Sequence, residues 1–329
     1  MELFSAGSHC LKLIKKYWFL SGLLAVSILT LADGEGIVAA SGSWLKQHYG
    51  PDLVIVFIFL FSGFALSTKQ LLDGLMDVKG ILLASVTIFI VAPMVAALFG
   101  LIPMDSGIII GLFLVSVMPS TLSSGVVMTG AAGGNTAHAL VTTIFANSVS
   151  VFTIPYALSF LLLIIGESAA VTIDKAAIMA KIALLVVLPL AVGLLLKFFL
   201  LSLYERIEQK VNIVNQCLIL FILWIALSQT RNMLVNSGIA VGLIVALVFV
   251  YHGLLLLAGW FLIRISRREK GRRESILFMG AQKTLPLSII LQVSLFPQYG
   301  IALLVCVLHH IVHLAMDGYL VERLKSHDL

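Results

Sequence analysis

One apolar segment of the chain, from Glu274 to Phe296, is interrupted in its middle by residues that could do chemistry. The interruption reads Gly-Ala-Gln-Lys-Thr-Leu-Pro at 280–286 and holds an amide, a cation, a hydroxyl and a proline. A proline removes a backbone donor and clashes with the preceding turn of a helix. At membrane depth, unpaired backbone is tolerated only where it is buried in protein or lines a cavity. The segment is therefore predicted to be a broken helix whose break is a binding site.

A second interrupted segment lies in the first half of the chain, where the apolar stretch from Ser106 to Ala132 contains Met-Pro-Ser-Thr-Leu-Ser-Ser-Gly at 118–125. Two such interruptions at corresponding places in two halves are typical of the binding site of a secondary transporter. Free carbonyls at the end of a first half-helix attract cations, and free N–H groups at the start of a second attract anions. The hydroxyl and amide oxygens of both breaks suit a hard cation such as sodium. A kink packed shut, with hydroxyls bonded back to their own helix, is the alternative interpretation.

Lys283 leads to the most specific prediction. Placing a positive charge in the middle of a membrane costs free energy, so a residue that carries one there is expected to have a function. No acidic residue lies near it within the apolar part of the segment. We expect its ammonium either to occupy the space where a sodium ion would sit or to face an anionic substrate. A buried lysine can also release its proton, which makes proton coupling an alternative to sodium. In a third interpretation, the side chain reaches water at the edge of a cavity.

Three histidines, His309, His310 and His313, lie in the last apolar segment, and Asp317 follows His313 by one helical turn. His309 and His313 share one face of a helix, a spacing that can bind a metal or relay a proton. We favour a hydrogen-bonded contact between helices, because the cluster has no second partner motif. His309 and His313 are kept as candidates for a proton relay.

Composition places the chain in a membrane. Of its 329 residues 60% are hydrophobic and 11% charged, whereas about 25% of the residues of a soluble domain are charged. The net charge of +5 could suggest a nucleic-acid partner. We expect none, because the positive residues stand in short loops between apolar segments, where they set membrane topology. The three cysteines are too scattered for a disulfide framework or a metal site.

Ten apolar segments are long enough to cross a bilayer, which takes roughly 20 residues. The predicted crossings are Tyr17–Ala32, Leu53–Ser67, Gly80–Gly100, Gly107–Ala132, Ala137–Ile165, Lys175–Leu200, Ile213–Thr230, Ser237–Ile263, Ser275–Phe296 and Gly300–Leu320. The fourth and the ninth are the interrupted ones. Because ten is five plus five, residues 1–168 and 169–329 are predicted to be two five-helix repeats of inverted orientation, each with its fourth helix broken.

The lysine and arginine residues predict the orientation. If the N-terminus is cytoplasmic, most of them fall in cytoplasmic segments, as the positive-inside rule requires. Both termini are therefore expected in the cytoplasm, with the protein in a bacterial inner membrane. The most basic loop, from Arg264 to Arg273, is interpreted as a topology anchor rather than as a site for lipid head groups.

Three motifs resemble those of the bile acid:sodium symporter family. The Gly-Ala-Gln-Lys-Thr-Leu-Pro break is similar to that family's Gly-x-Gln-(Asn or Lys) element. The second motif, Thr121-x-Ser123-Ser124 with Gly134-Asn135 and Thr142-Thr143, is similar to that family's fourth-to-fifth helix region. The third, Phe61-x-Gly63-x-x-Leu66, is similar to its second helix. The lysine after Gln282 resembles the bile-acid-symporter-like branch more than the bile acid carriers. The resemblance covers essentially the whole chain in helix number and order.

That resemblance implies an all-α fold of ten transmembrane helices, with helices 1, 2, 6 and 7 in a panel domain and helices 3–5 and 8–10 in a core domain. The discontinuous fourth and ninth helices would cross, two sodium ions would bind behind the crossing, and an organic anion would bind between the domains. Ser123 and Ser124 fall where the family has a Ser-Asn pair that binds the first sodium. Thr143 falls on a further ligand of that ion, and Gln282 on a ligand of the second.

Two positions depart from the family's pattern. Phe278 stands where the family has an acidic residue shared by both sodium sites, and the asparagine of the Ser-Asn pair is absent unless Asn135 or Asn147 replaces it. Asn147 lies about one turn after Thr143 and can share its face. One sodium ion, or a proton, is therefore expected. The candidate cation ligands are Ser123, Ser124, Thr143, Asn147 and Gln282, and the candidates for substrate contact or coupling are Thr121, Asn135, Lys283, Thr284 and Ser288.

These features predict a secondary transporter that moves a small organic anion by alternating access and uses a cation gradient. A small carboxylate or sulfonate is expected rather than a bile acid. A non-transporting membrane regulator of ion homeostasis would have the same fold and is the main alternative. An intramembrane metal-dependent enzyme built on the three histidines is a remote one, because such a site needs further separated motifs. The expected partners are the organic anion and the lipid bilayer; sodium is the coupling ion, and no cofactor, resident metal or enzymatic activity is expected.

Overall fold

The computed structural model describes residues 18–34, 36–65, 74, 77–164, 166, 174–236 and 241–326, and every regular element in these ranges is a helix. In the first half they are α1 (Trp18–Leu31), α2 (Ile37–Gln47), α3 (Gly50–Ala65), α4 (Val78–Gly100), α5 (Ser106–Val117), α6 (Ser124–Ala131) and α7 (Thr136–Ile164). In the second half they are α8 (Lys175–Ile182, Ala183–Val187 and Leu188–Phe199 without interruption), α9 (Leu201–Asn236), α10 (Val241–Ile265), α11 (Arg273–Ala281), α12 (Leu285–Leu295) and α13 (Gly300–Ser326).

Each of the predicted segments overlaps one of these helices or, at the two interruptions, a pair of them. One helix was not predicted: α2, whose Ser-Gly-Ser stretch and Lys46 have the composition of a loop. It meets α3 at a bend of 78°. Leu66 of the second-helix motif and the predicted boundary between the repeats, at 168 and 169, lie outside the described residues.

Seven helices among the described residues are long and apolar enough to cross a membrane. The outer faces of the helices carry exposed large apolar side chains, such as Leu29 of α1, Phe160 of α7 and Phe199 of α8, which are 66%, 64% and 77% exposed. Exposed apolar surface on this scale marks contact with lipid rather than with water. The chain is thus a multi-pass integral membrane protein with an all-helical fold.

One span lies in the centre of the molecule. In the span formed by α11 and α12, Arg273–Leu295, all residues of the apolar 18-residue stretch are buried (100%). In the other spans between 28% and 67% of the corresponding residues are buried. This span contains the second predicted break. The break therefore faces protein on all sides, which is the condition under which a membrane tolerates irregular backbone.

Two helices contain a π-helical turn just before a proline. In α4 the turn is Thr87–Val91 and precedes Pro93; in α8 it is Ala183–Val187 and precedes Pro189. A proline has no N–H, and its ring clashes with the carbonyl four residues earlier. The wider turn relieves the clash. Because a π-helical N–H bonds five residues back, Pro93 leaves the Ile88 carbonyl without a donor from its own helix.

The closest helix approach in the described structure joins α3 to the last part of α8. A Cβ atom on Gly63 would overlap the Leu190 carbonyl oxygen, and a Cβ on Gly193 would overlap the Leu60 carbonyl oxygen. Membrane helices associate through such small residues because the hydrophobic effect does not drive contact between them. α9 packs against both α1 and α3, which joins α1, α3, α8 and α9 into one group.

The close approach of α3 and α8 predicts that Gly193→Val lowers the stability of the protein in detergent. The new side chain must push the α3 backbone away, and overpacking of this kind costs about 1–3 kcal/mol or more. Gly318→Val is the matched control, because a Cβ on Gly318 meets no atom within 4 Å. Thermal denaturation should show a lower midpoint for Gly193→Val alone. Equal midpoints for the two variants would contradict the packing described above.

Candidate functional site

The first break separates α5 from α6. α5 ends at Val117, and Met118 is extended, with φ −71° and ψ 144°. α6 begins at Ser124, so the break covers 118–123. Thr121 stabilises the start of α6, because its Oγ1 accepts a 2.9 Å hydrogen bond from the Gly125 N–H. Helix starts need such acceptors, since their first N–H groups have no partner within the helix.

The second break separates α11 from α12 and is shorter. Gln282 and Thr284 are both extended, with ψ of 145° and 129°. Pro286 lies in the first turn of α12, where a proline fits because the N–H it lacks would have no helical partner. The break predicted at this position is therefore present, and it covers 282–284.

The two breaks meet through two consecutive carbonyls of the first one, and a third carbonyl bonds to α7. Lys283 Nζ donates to Met118 O at 3.0 Å, and the Thr284 N–H donates to Pro119 O at 3.0 Å. The third carbonyl, of Ser120, accepts from Thr143 Oγ1 at 3.2 Å and from Asn147 Nδ2 at 3.3 Å, both on α7. The carbonyls of Met118, Pro119 and Ser120, all in the first break, thus each receive a donor from the second break or from α7.

Lys283 is buried, with 2% of its surface exposed. Besides Met118 O, its Nζ donates to Ile88 O at 3.1 Å, the carbonyl that the π-turn before Pro93 leaves free. The ammonium thus joins α4, the first break and the second break. The interpretation in which Lys283 reaches water at a cavity edge is wrong, because the side chain ends among backbone carbonyls inside the protein.

Gln282 connects the first break to the last helix. Its Oε1 lies 3.2 Å from Thr121 Oγ1 and 3.1 Å from Ser124 Oγ, and the two hydroxyls are 2.7 Å apart. Its Nε2 donates to Asp317 Oδ2 at 2.7 Å. Gln282 and Asp317 are fully buried. A carboxylate on α13 therefore lies beside the amide that the sequence singles out.

The other oxygen of Asp317 accepts from His252 Nε2 of α10 at 3.0 Å, and His252 is fully buried as well. Sequence reasoning missed His252, and it placed Asp317 only in line with His309 and His313. The available signal was a single acidic residue in the last apolar segment. The contact with Gln282 was not predictable from spacing, because it joins residues 35 positions apart.

Four histidines pack together beside this carboxylate. The rings of His309 and His313 are 5.3 Å apart, those of His310 and His313 4.5 Å, and those of His252 and His309 5.6 Å. All four are buried. In the part of the chain that the structure describes, no group of His, Cys, Asp and Glu side chains could hold a metal ion. The remote metal-dependent alternative thus has no site in these ranges.

Buried oxygens without a protein partner lie in this region. Among the described residues, Ser120 Oγ and Asn147 Oδ1 have no hydrogen-bond partner. Buried polar atoms are bonded in nearly all proteins, so each exception needs an explanation. Neutral hydroxyl and amide oxygens are ligands of hard cations. Ser120 and Asn147 therefore carry buried oxygens of the type that binds a small cation.

A cavity of about 40 Å³ adjoins the crossing. Its lining includes Ser123 and Ser124 at the start of α6, and Thr284 at the start of α12. On the opposite side lie Ser62 of α3 and Asn215 of α9, which bond each other at 2.8 Å. A cavity needs at least roughly 10–15 Å³ of such volume to hold one water molecule. In this conformation the space between the two groups of helices is therefore large enough for a few water molecules.

Two candidate residues from the sequence have local roles instead. Asn135 Oδ1 accepts from the His138 N–H at 3.0 Å and so caps α7, while its own N–H donates to Gly271 O at 2.6 Å. Ser288 Oγ donates to Leu285 O at 2.7 Å within α12. Asn147, rather than Asn135, is the asparagine that bonds to the first break.

Interrupted helices that meet inside a multi-pass bundle and bond each other's free backbone are the structural mark of a membrane transporter. Residues 17–326 match the SBF-like CPA transporter family, so the chain belongs to this family. This membership confirms the resemblance found in the sequence to bile acid:sodium symporters and their less characterised branch, and it makes the chain a transporter rather than an enzyme.

Two sodium/bile acid cotransporters are similar to this chain over nearly their whole length, and a probable sodium/metabolite cotransporter is similar over about seven-tenths of its length. Sodium/bile acid cotransporter 7-A of Xenopus laevis is 27% identical over 334 residues, which cover 96% of this chain and 94% of that protein. Sodium/bile acid cotransporter 7 of Gallus gallus is 26% identical, with 96% and 93% covered. The probable sodium/metabolite cotransporter BASS4, chloroplastic, of Arabidopsis thaliana is 25% identical, with 89% and 71% covered.

The bonds of Thr121 predict that Thr121→Val destabilises the protein by about 1–3 kcal/mol, because the Gly125 N–H is left buried without an acceptor. Thr142→Val is the matched control. Thr142 is also buried, but its hydroxyl only bonds the His138 carbonyl of its own helix, at 2.8 Å. Denaturation in detergent should show the larger loss for Thr121→Val. A loss as large for Thr142→Val would mean that Thr121 has no special part in holding the break.

Proposed function

We propose that the protein is a secondary active transporter that moves a small organic anion by alternating access, driven by sodium. The observation that carries the proposal is the contact between the two breaks, in which Lys283 and Thr284 bond the free carbonyls of Met118 and Pro119. A transporter must bind and release its ions at a place that both sides of the membrane can reach in turn, and a pair of broken helices supplies such a place near the midplane. The relatives named above are described as sodium cotransporters.

In this proposal the chain crosses the membrane ten times, as two inverted repeats at 1–168 and 169–329. The group formed by α1, α3, α8 and α9 is the panel domain, and the remaining spans are the core domain. The 40 Å³ cavity lies where panel residues Ser62 and Asn215 face the two breaks. Rocking of the core against the panel would open this space to one side or the other. Both termini lie in the cytoplasm, and the membrane is a bacterial inner membrane.

The coupling ion is one sodium, bound behind the first break. Its ligands are the oxygens of Ser120 and Asn147 that lack protein partners, with Thr143 and the Thr121–Ser124–Gln282 group beside them. Asp317 supplies the negative charge. It stands in for the carboxylate that Phe278 replaces, and it acts through Gln282, to which it is bonded.

Lys283 takes the place of a second cation. Its ammonium is held by two backbone carbonyls, as a small ion would be, and it belongs permanently to the protein. A fixed positive charge needs no ion from solution, so the transporter works with one sodium where the resemblance implies two. The substrate anion binds in the space beside Ser123 and Thr284 once rocking of the core has widened it, because the starts of α6 and α12 present positive dipole ends there.

Uptake into proteoliposomes tests the proposed coupling. An inward sodium gradient should drive uptake of one or more members of a panel of small carboxylates and sulfonates, and Gln282→Ala should reduce the rate at least about tenfold. Gln292→Ala is the matched control: Gln292 is buried in the same span, but bonds only the Phe296 and Tyr299 carbonyls. Uptake driven equally well by a proton gradient without sodium would reject sodium coupling and favour a relay through His309 and His313. Sodium that neither drives uptake nor stabilises the protein would favour the non-transporting regulator.

Lys283→Met should change the ion requirement rather than only the rate. The space of the ammonium is then free, so the variant should need a second cation, and its sodium dependence should become steeper, with a Hill coefficient rising from about 1 toward 2. Methylammonium should partly restore uptake at low sodium. Lys181→Met serves as the control, since Lys181 bonds Ser294 on the partly exposed surface, at 2.6 Å. An unchanged sodium dependence in Lys283→Met would contradict the role given to this ammonium.

A further inference from the structure

A basic cavity lies at one end of the bundle, and none of its lining residues belongs to the two breaks. It forms where α10 ends, α11 begins and α13 ends, and its volume is about 540 Å³. Its polar lining consists of one glutamate and five arginines, a net charge of +4: Glu274, Arg264, Arg267, Arg268, Arg273 and Arg323. Its floor is apolar and includes Ile263, Leu277 and Leu320.

Two carboxylates contact arginines of this cavity in the described part of the chain. Glu274 bonds Arg273 Nε at 2.8 Å, and Asp77 bonds Arg268 Nη1 at 3.1 Å. Arg268 is about nine-tenths buried, with 10% of its side chain exposed. Within the described ranges its Nε and Nη2 nevertheless have no hydrogen-bond partner. Buried guanidinium donors without acceptors, in a cavity with excess positive charge, fit a bound anion.

An apolar groove continues from this cavity along the outer surface of the bundle. The groove has a volume of about 450 Å³ and runs between α10 and α13, with Phe249, Leu256, Val312 and Ala315 among its lining residues. Leu320 lines both the basic cavity and the groove. Phe249 and Tyr319, at 54% and 63% exposed, belong to the lipid-facing surface. The ligand that fits the two spaces together has an anionic head and an apolar tail.

We propose that this cavity and groove form a binding site for an anionic phospholipid. The head-group phosphate lies among the arginines and bonds the free donors of Arg268. One acyl chain follows the groove between α10 and α13. Trp260, which stacks on Arg264 with the guanidinium 5.2 Å from the ring centroid, marks the level of the membrane interface. Basic pockets between membrane helices are known to select anionic head groups. The basic loop is therefore more than a topology anchor.

Quenching of Trp260 by brominated lipids tests this site on the full-length protein in neutral detergent. The component of the fluorescence that is lost in Trp260→Phe reports binding at the cavity alone. Brominated phosphatidylglycerol should quench it at a concentration at least about tenfold lower than brominated phosphatidylcholine. Equal quenching by the two lipids would overturn the proposal. Displacement of phosphatidylglycerol by glycerol 1-phosphate, which has no acyl chain, would overturn it too, because the ligand would then be a free phosphate.

Variants separate the contributions of the head group and the tail. Arg267→Gln and Arg323→Gln should each weaken phosphatidylglycerol binding about fivefold, and together about 25-fold. Arg272→Gln is the matched control from the same loop, since Arg272 does not line the cavity. Ala315→Phe should fill the groove and weaken binding without touching a charge. Circular dichroism confirms that each variant is folded. If Arg272→Gln weakens binding as much as Arg267→Gln, or if Ala315→Phe has no effect, the proposed site is wrong. The readout needs no transport, so this inference does not depend on the proposed function.

Discussion

A carbonyl oxygen buried at membrane depth must accept a hydrogen bond. The break between α5 and α6 leaves three consecutive carbonyls that need a donor from elsewhere in the protein. The oxygens of Met118, Pro119 and Ser120 are bonded by an ammonium, a backbone N–H and two side chains of α7. These bonds tie α4, α7 and both breaks together. The burial of the span Arg273–Leu295 follows from them, because the second break can bond the first only from inside the bundle.

The same constraint explains why the protein keeps two opposite charges in its interior. Lys283 satisfies carbonyls of α4 and of the first break, and Asp317 satisfies donors from Gln282 and His252. Lys283 and Asp317 do not pair with each other among the contacts described: two backbone carbonyls hold the ammonium, whereas the Gln282 amide and the His252 ring hold the carboxylate. A charge held by dipoles rather than by a counter-charge is sensitive to any ion that binds nearby. A carrier can use that sensitivity to link ion binding to a change in helix packing.

Much of the fold could be predicted from the sequence, because long apolar segments and interrupting prolines are local signals. The break at Gln282 and the burial of the segment around it are of this kind. Helix α2 was missed because its composition is that of a loop, and its conformation depends on packing: a Cβ at Gly42 would overlap Ser228 of α9.

At the site, Gln282, Lys283 and Thr143 were predicted by type. The partners were not, because Asp317 bonds Gln282 from α13 and is itself bonded by His252 of α10, and Asn135 caps α7. Such contacts are properties of the tertiary structure, which spacing along the chain does not encode.

The central claim is that the two breaks form a single ion-responsive unit. Hydrogen–deuterium exchange of the purified protein, in sodium and in choline at equal ionic strength, tests it most directly. The account predicts that sodium slows exchange in the peptides covering 118–125 and 280–286 together, because the ion holds the crossing closed while distant peptides of α2 are unaffected. Exchange that sodium leaves unchanged in both segments, or slows in only one of them, would contradict it.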